Sequence, residues 1–393
     1  TYLSCETHIK DHVFPELNKI LKKKKIKNYY FVPDILLTKK IINLYQNLKF
    51  IAHQNFIFKE NFISSSEFFE CFFSTLLYKH KIKNKCFYSK NLDCSLIIED
   101  EFKNKSSFYS EFQSRLKLIF IKNFKKYNQD LKKSVGRFEN QSADKAWFYG
   151  MRTHYPYTNI YGFQGFLYYP HFSNQSPTFF EDKLKLLPNK IIVTNKISKL
   201  QRKEFFKKAK IIIGPSLGKQ QIFKKIKMKK KYKFVLALCG VKSVDEKILS
   251  WLFYSSQKDK NFKIAIKPHP TMSIDKLNNF NKGLLNSRFQ IIEDNIHNIL
   301  GKTEILISSG PTGVTFESLV YGCKLLYLVF NPNDLLMFKS VPNKYKNFIL
   351  IKNKEDLFRN IQIYKKKSVK RYSNNLRKLF FTKINNKNLT IFY

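Results

Sequence analysis

Apolar residues recur along this chain in two alternating patterns. In the C-terminal half, short continuous apolar runs at 234–238, 262–266, 289–292, 305–307, 325–329 and 348–351 have the length and content of strands buried on both faces. Stretches with helical spacing separate most of them, such as Val244, Ile248, Trp251 and Leu252 on one face, and Phe316, Leu319, Val320 and Cys323 on another. This alternation predicts a parallel sheet of Rossmann type, whose ligands sit at the carboxyl ends of the strands.

The N-terminal half shows the same alternation less regularly. Strands are expected at 1–4, 29–32, 134–138, 159–163, 190–194 and 210–214, and helices at 12–21, 35–48, 112–127 and 143–151. Ala143, Trp147 and Met151 share one face of the last helix. Residues 80–105 and 164–180 lack a period and read as loop, while Pro188 and the Gly214, Pro215 pair punctuate the later strands. Between Gly218 and Lys233 the composition turns to nearly pure lysine, which places a domain boundary there and gives domains 1–225 and 226–393. A length of 393 residues also favours two hydrophobic cores over one. The expected fold class is α/β, with two Rossmann-like domains facing a central cleft.

Composition changes this picture in one respect. Lys and Arg number 72 against 29 Asp and Glu, a formal charge of +43. A lysine- and asparagine-rich, alanine-poor chain is what AT-rich codons produce, so much of this charge reads as solvated surface. The rest suits anionic donors, acceptors or lipid. Lysine greatly outnumbers arginine and no compact module interleaves basic and aromatic residues, so nucleic acid is not an expected partner. The lysine runs at 22–25 and 224–233 are dense enough to attract an anionic membrane, at about 1 kcal/mol per well-placed cation. Six scattered cysteines without a CxxC pair suggest neither zinc nor disulfides and fit a reducing cytoplasm. No uncharged apolar run is long enough to span a bilayer, so the expected location is cytoplasmic, at or near the inner face of the membrane.

Three short motifs follow expected strands: Leu238, Cys239 and Gly240; Lys267, Pro268, His269 and Pro270; and Ser308, Ser309 and Gly310, continued by Pro311, Thr312 and Gly313. Two prolines confine the backbone around His269 to extended conformations, so the ring is aimed. The serine and glycine turn leads into a helix, where outward hydroxyls and N–H groups suit a phosphate; an ordinary N-cap explains the same residues. Loops at the ends of two strands in one sheet converge on one crevice.

These residues resemble the His-Pro and Ser-Ser motifs of bacterial sialyltransferases, polysialyltransferases and Kdo transferases, GT-B enzymes that use CMP-activated acidic sugars. The resemblance implies that His269, Pro270, Ser308 and Ser309 contact the CMP moiety. Together with Gly240, Lys267, Gly310, Thr312, Gly313 and Glu317, they form the implied donor site. Across 137–141, Arg, Phe, Glu, Asn and Gln, then Tyr161, Gly162, Phe163 and Gln164, resemble a second signature of surface-carbohydrate enzymes, with Gly165 where that pattern has a histidine and His171 nearby but not aligned.

Glycosyl transfer needs a carboxylate near the acceptor hydroxyl, and Glu139 is the first choice, with Asp144 in reserve and Gln141 and Gln164 on the acceptor side. An inverting enzyme would use Glu139 as a base, while a retaining one would use a carboxylate as nucleophile. No Asp-x-Asp stands at a strand end, and the acidic 99–101 cluster reads as a solvated loop, so no metal or other cofactor is expected. The implied activity is transfer of an ulosonic sugar from its CMP donor to a glycan or glycolipid acceptor. Alternatives are a CDP-glycerol or ribitol polymerase, a UDP-sugar epimerase, and a polyanion-binding protein without enzymatic activity.

Overall fold

The computed structural model describes residues 2–5, 9–11, 13–35, 55–82, 86, 88–89, 92–96, 99, 108–127, 130–166, 175–223, 229–270, 272, 288–310, 312–339, 341, 347–367 and 375–393. Residues 36–48 of the helix expected at 35–48, His171, the acidic residues Asp100 and Glu101, Pro311, and the boundary between 225 and 226 lie outside them, while Ile35 ends a strand.

In the N-terminal half, β1 (Tyr2–Cys5), β2 (Ile9–Asp11) and β3 (Asp34–Ile35) form a small sheet, and β4 (Tyr88–Ser89) pairs with β5 (Leu92–Asp93). Helices α1 (Leu17–Lys23), α2 (Ser65–Ile82) and α3 (Phe108–Tyr127) accompany them. The helix expected at 12–21 starts later, because Pro15 and a left-handed Glu16 (φ 65°) precede Leu17.

The main sheet of this half is fully parallel. It comprises β6 (Lys133–Arg137), β7 (Asn159–Gln164), β8 (Lys190–Val193) and β9 (Ile211–Ile213), in that order. Its connecting helices are α4 (Ser142–His154), α5 (Phe179–Lys183) and α6 (Lys196–Phe205). Alternation along β8 divides the core: Ile191 and Val193 pack with Phe120, Phe148 and Met151, whereas Ile192 packs on the other face with Phe14, Leu17 and Phe163.

The C-terminal half carries a six-stranded parallel sheet of β10 (Tyr232–Ala237), β11 (Ile264–Lys267), β12 (Phe289–Ile291), β13 (Thr303–Ser308), β14 (Lys324–Leu328) and β15 (Phe348–Ile351). Its spatial order is β12, β11, β10, β13, β14, β15, the doubly wound order with a switch point between β10 and β13. The helices are α7 (Lys242–Lys258), α8 (Ile296–Gly301), α9 (Val314–Val320), α10 (Lys354–Lys366), α11 (Asn375–Phe380) and α12 (Asn386–Leu389). Phe234, Leu236 and Leu238 turn toward Ile248, Leu252, Leu357 and Ile361 on one face; Val235 and Ala237 turn toward Phe316, Leu319, Leu376 and Phe380 on the other. Covering both faces explains why these strands are almost continuously apolar.

Leu389 and Phe392, at the end of the chain, pack into the N-terminal core against Phe14 and Phe163. Just before them, Thr382 bonds to Thr194 and Ser216, which follow β8 and β9. The polypeptide therefore crosses back from the second lobe to the first.

Candidate active site between two sheets

Register brings the three C-terminal motifs together. Ala237 of β10 pairs with Lys267 of β11 on one side and Ser308 of β13 on the other. The loops beginning at Leu238, Pro268 and Ser309 therefore leave neighbouring strands at the same level, at the switch point. Gly240 (φ 84°) and Gly310 (φ 69°) adopt left-handed conformations that suit glycine. At Gly310 a β-carbon would also lie 3.0 Å from Cys239 Sγ, so a larger residue has both strain and a clash to relieve.

His269 is half-buried on the β11 loop. Burial lowers its pKa, while the nearby Asp245 carboxylate acts in the opposite direction. Asp245 has no surface exposure, and accepts hydrogen bonds from the Cys239 N–H at 2.9 Å and the Gly240 N–H at 2.8 Å. It thus fixes the first loop and lies near enough to act electrostatically on the histidine of the second, a role the sequence reading missed. The only signal was an acidic residue in the first turn of α7, which the helix dipole alone accounts for. Lys267 donates to the Glu293 carbonyl at 2.9 Å, and Pro270 is exposed beside His269.

The two serines correct one expectation. Their hydroxyls do not face outward: Ser308 Oγ pairs with Thr315 Oγ1 at 3.1 Å, and Ser309 Oγ donates to the Leu328 carbonyl at 2.7 Å, both fully buried. Ser308 is the last residue of β13, so its side chain enters the layer between sheet and α9. Ser309 ties its loop to the end of β14. These side chains hold the turn, whose Gly310 carbonyl also accepts from the Thr312 N–H and the Tyr327 hydroxyl. Thr312 is buried too, and Gly313 is the N-cap of the short helix α9.

Glu317, in α9, is buried and forms an ion pair of 2.5 Å with Lys219 from the segment after β9. Its other oxygen, Oε2, lies 3.8 Å from His297 Nδ1. Neither of those atoms, nor the hydroxyl of nearby Tyr321, has a hydrogen-bond partner among the described residues. Burial depresses the His297 pKa, Glu317 opposes that effect and Lys219 adds to it. The sequence reading named Glu317 but neither Lys219 nor His297.

On the first lobe, Glu139 follows β6, whose last residue, Arg137, pairs with Phe163 near the end of β7. Burial raises its pKa; Arg137, 3.6 Å away, opposes the rise and Asp144 adds to it. Gln141 donates to Glu139 Oε2 at 3.1 Å and accepts from Arg137 at 3.1 Å, which aims the carboxylate. Asp144 is buried and caps the loop, accepting from the N–H groups of Glu139 (2.8 Å) and Gln141 (3.3 Å), so its carboxylate is engaged in holding the Glu139 backbone. Asn140 adopts φ 60° and donates to Glu181 at 2.9 Å. Gln164 is buried, its amide donating to the Gln175 carbonyl at 3.4 Å, so it braces the β7 end without being presented to an acceptor. A β-carbon on Gly165 would lie 2.8 Å from the Phe163 ring, leaving little room for the histidine of the related pattern.

The Lys219 to Glu317 pair and the packing of Ile197 against the α9 core show that the carboxyl ends of β8 and β9 face the α9 side of the second sheet. Glu139 and Gln164 lie on that same edge of the first sheet. A cavity of about 770 Å³ lies apart from the C-terminal motif loops, along the free edge of β6, with Tyr29, Lys59, Arg137 and Trp147 in its wall. None of the C-terminal motif residues lines it.

No protein-family model matches this sequence, and no curated protein matches it either. Solved structures do. A Listeria monocytogenes protein assigned as a UDP-N-acetylglucosamine 2-epimerase aligns with a TM-score of 0.50 and 10% identity, over 93% of this chain and 85% of that one. The fold is of GT-B type. Two Rossmann lobes around a cleft are common to this chain and that protein. Two lower-scoring matches are the Neisseria meningitidis UDP-GlcNAc 2-epimerase bound to UDP-GlcNAc (TM-score 0.43, 11% identity, 96% of this chain and 94% of that one) and the pneumococcal O-GlcNAc transferase GtfA with UDP and GlcNAc (0.47, 11%, 70% and 59%). The chain spans 55% of the matched chain from a GtfA/B complex. In the GT-B arrangement of this protein, the switch-point loops occupy the second lobe and the Glu139 loop the first.

Proposed function

We propose that the protein is a glycosyltransferase whose second lobe holds a cytidine nucleotide sugar, with an ulosonic sugar such as Kdo or a sialic acid as the transferred group. The observation that carries this reading is the convergence of the Gly240, His269 and Gly310 loops at one switch point. His269, backed by Asp245, donates to a phosphate oxygen of the donor, and the backbone of the Gly310 turn approaches the same group. Glu139, with its raised pKa, takes the proton of the acceptor hydroxyl as the new glycosidic bond forms. The bond from the anomeric carbon to phosphate breaks and CMP leaves. The choice of cytidine rests on the resemblance of the His269 and Ser308, Ser309 motifs to those of CMP-sugar enzymes.

Calorimetry with CMP, UMP and GMP tests the donor. CMP alone should bind saturably, and His269→Ala should weaken it on the order of tenfold, the loss of one charge-assisted hydrogen bond. Glu139→Gln should leave CMP affinity unchanged and slow transfer from CMP-Kdo or a CMP-sialic acid by roughly a hundredfold or more. Equal affinity for all three nucleotides defeats the donor assignment. CMP release from CDP-glycerol alone would move the reading to polyol-phosphate transfer, and turnover of UDP-GlcNAc alone would move it to epimerisation.

A further inference from the structure

Helix α2 packs on α3 through one face, where Phe68, Phe72 and Cys71 meet Phe108, Phe112 and Leu116. A helix on the outside of a soluble protein should be polar on its other face. This one is not. Phe69 and Phe73 remain 57% and 58% exposed, and Leu76 and Leu77 46% and 57%. At positions i, i+4, i+7 and i+8 these four side chains form one continuous stripe over more than two turns. Single exposed apolar residues are ordinary, but a contiguous stripe marks a surface that something covers.

We infer that this stripe is a membrane-binding surface that inserts between the headgroups of an anionic bilayer. Charge selects lipid over a protein partner. The chain carries 72 basic against 29 acidic residues, and directly beyond the stripe the sequence places Lys79, Lys81, Lys83 and Lys85. An apolar helix face followed by clustered lysines is the composition of an interfacial helix, in which aromatic insertion and attraction to anionic lipid add together. No helix among the described residues is long and apolar enough to cross a bilayer, so the contact is with one leaflet. Phe69 and Phe73 lie outside the nucleotide crevice, and the inference does not depend on the identity of the donor.

Co-sedimentation with vesicles tests it, using phosphatidylcholine alone and phosphatidylcholine mixed with phosphatidylglycerol. The protein should bind the mixed vesicles, and a Phe69→Ser, Phe73→Ser double variant should bind them on the order of tenfold less, with an unchanged melting temperature. A Phe73→Trp variant should gain fluorescence that brominated lipid quenches, a readout that does not rely on weakening the helix. Equal binding by wild type and double variant would mean adsorption by surface lysines alone and would overturn the inference. So would failure of the wild type to bind. A wild-type dimer that the double variant converts to monomer would assign the stripe to a second copy of the chain and likewise overturn it.

Discussion

Asp245 shows how a single residue changes meaning between sequence and fold. In the sequence it is an acid three residues into a helix. In the structure its carboxylate is fully buried, holds the Cys239 and Gly240 amides, and acts electrostatically on His269. Burial raises its own pKa, while those amides and His269 act to lower it. A negative charge beside an imidazole favours the imidazolium, so Asp245→Asn should move the titration of His269 to lower pH. An NMR titration of the labelled ring measures this, and an unmoved curve would show that Asp245 only braces the loop. Ser308 and Ser309 show the opposite change: hydroxyls that look like ligand donors in sequence are used up within the protein. Sequence identified the loop. Which atoms of it remain free depends on Thr315 and Leu328, which lie seven and nineteen residues further along.

At the scale of elements, the parallel strands were legible because burial on both faces leaves a continuous apolar run, and their expected positions in both main sheets match to within two residues. Helix α2 was not legible. Its paired residues Phe68 and Phe69, Phe72 and Phe73, and Leu76 and Leu77 load both faces, which erases the single stripe that a helical period leaves. Nor does spacing reveal how elements are joined by charge. Asp34 of β3 lies 2.8 Å from Lys59 and 2.7 Å from Lys117 of α3, linking three separate segments. Burial works against that carboxylate, but the two lysines outweigh it and hold its pKa far below the usual range.

Replacing it with Asn leaves the Lys59 side chain, only 4% exposed, without its nearest counter-charge, at a cost of about 3 kcal/mol or more. Because the folded-state pKa is depressed, this stabilisation is present above the unfolded value and is lost as pH falls toward the folded one. Urea unfolding should therefore show the wild-type advantage over Asp34→Asn at neutral pH, shrinking as the pH drops below about 4. An advantage independent of pH would exclude the ion pairs as its source.

At the scale of the molecule, two lobes are joined by chain and by charge. The Lys219 to Glu317 pair ties the segment after β9 to α9, and the C-terminal segment returns to the N-terminal core through Leu389 and Phe392. Lys219→Ala leaves a buried carboxylate without its ion-pair partner, so it should lower the thermal midpoint by several degrees and weaken nucleotide binding together. An unchanged midpoint with weaker binding would instead place Lys219 on the ligand.

Local periodicity was enough to set out the parallel strands of both main sheets, because strands buried on both faces leave continuous apolar runs, and residue type alone marked His269 and Gly310 at their ends. That Asp245 lies near His269, that Lys219 reaches Glu317, and that Leu389 and Phe392 pack into the first lobe emerges only from the folded chain. Those contacts join residues from 24 to more than 300 positions apart, and no local pattern specifies the register that brings them together.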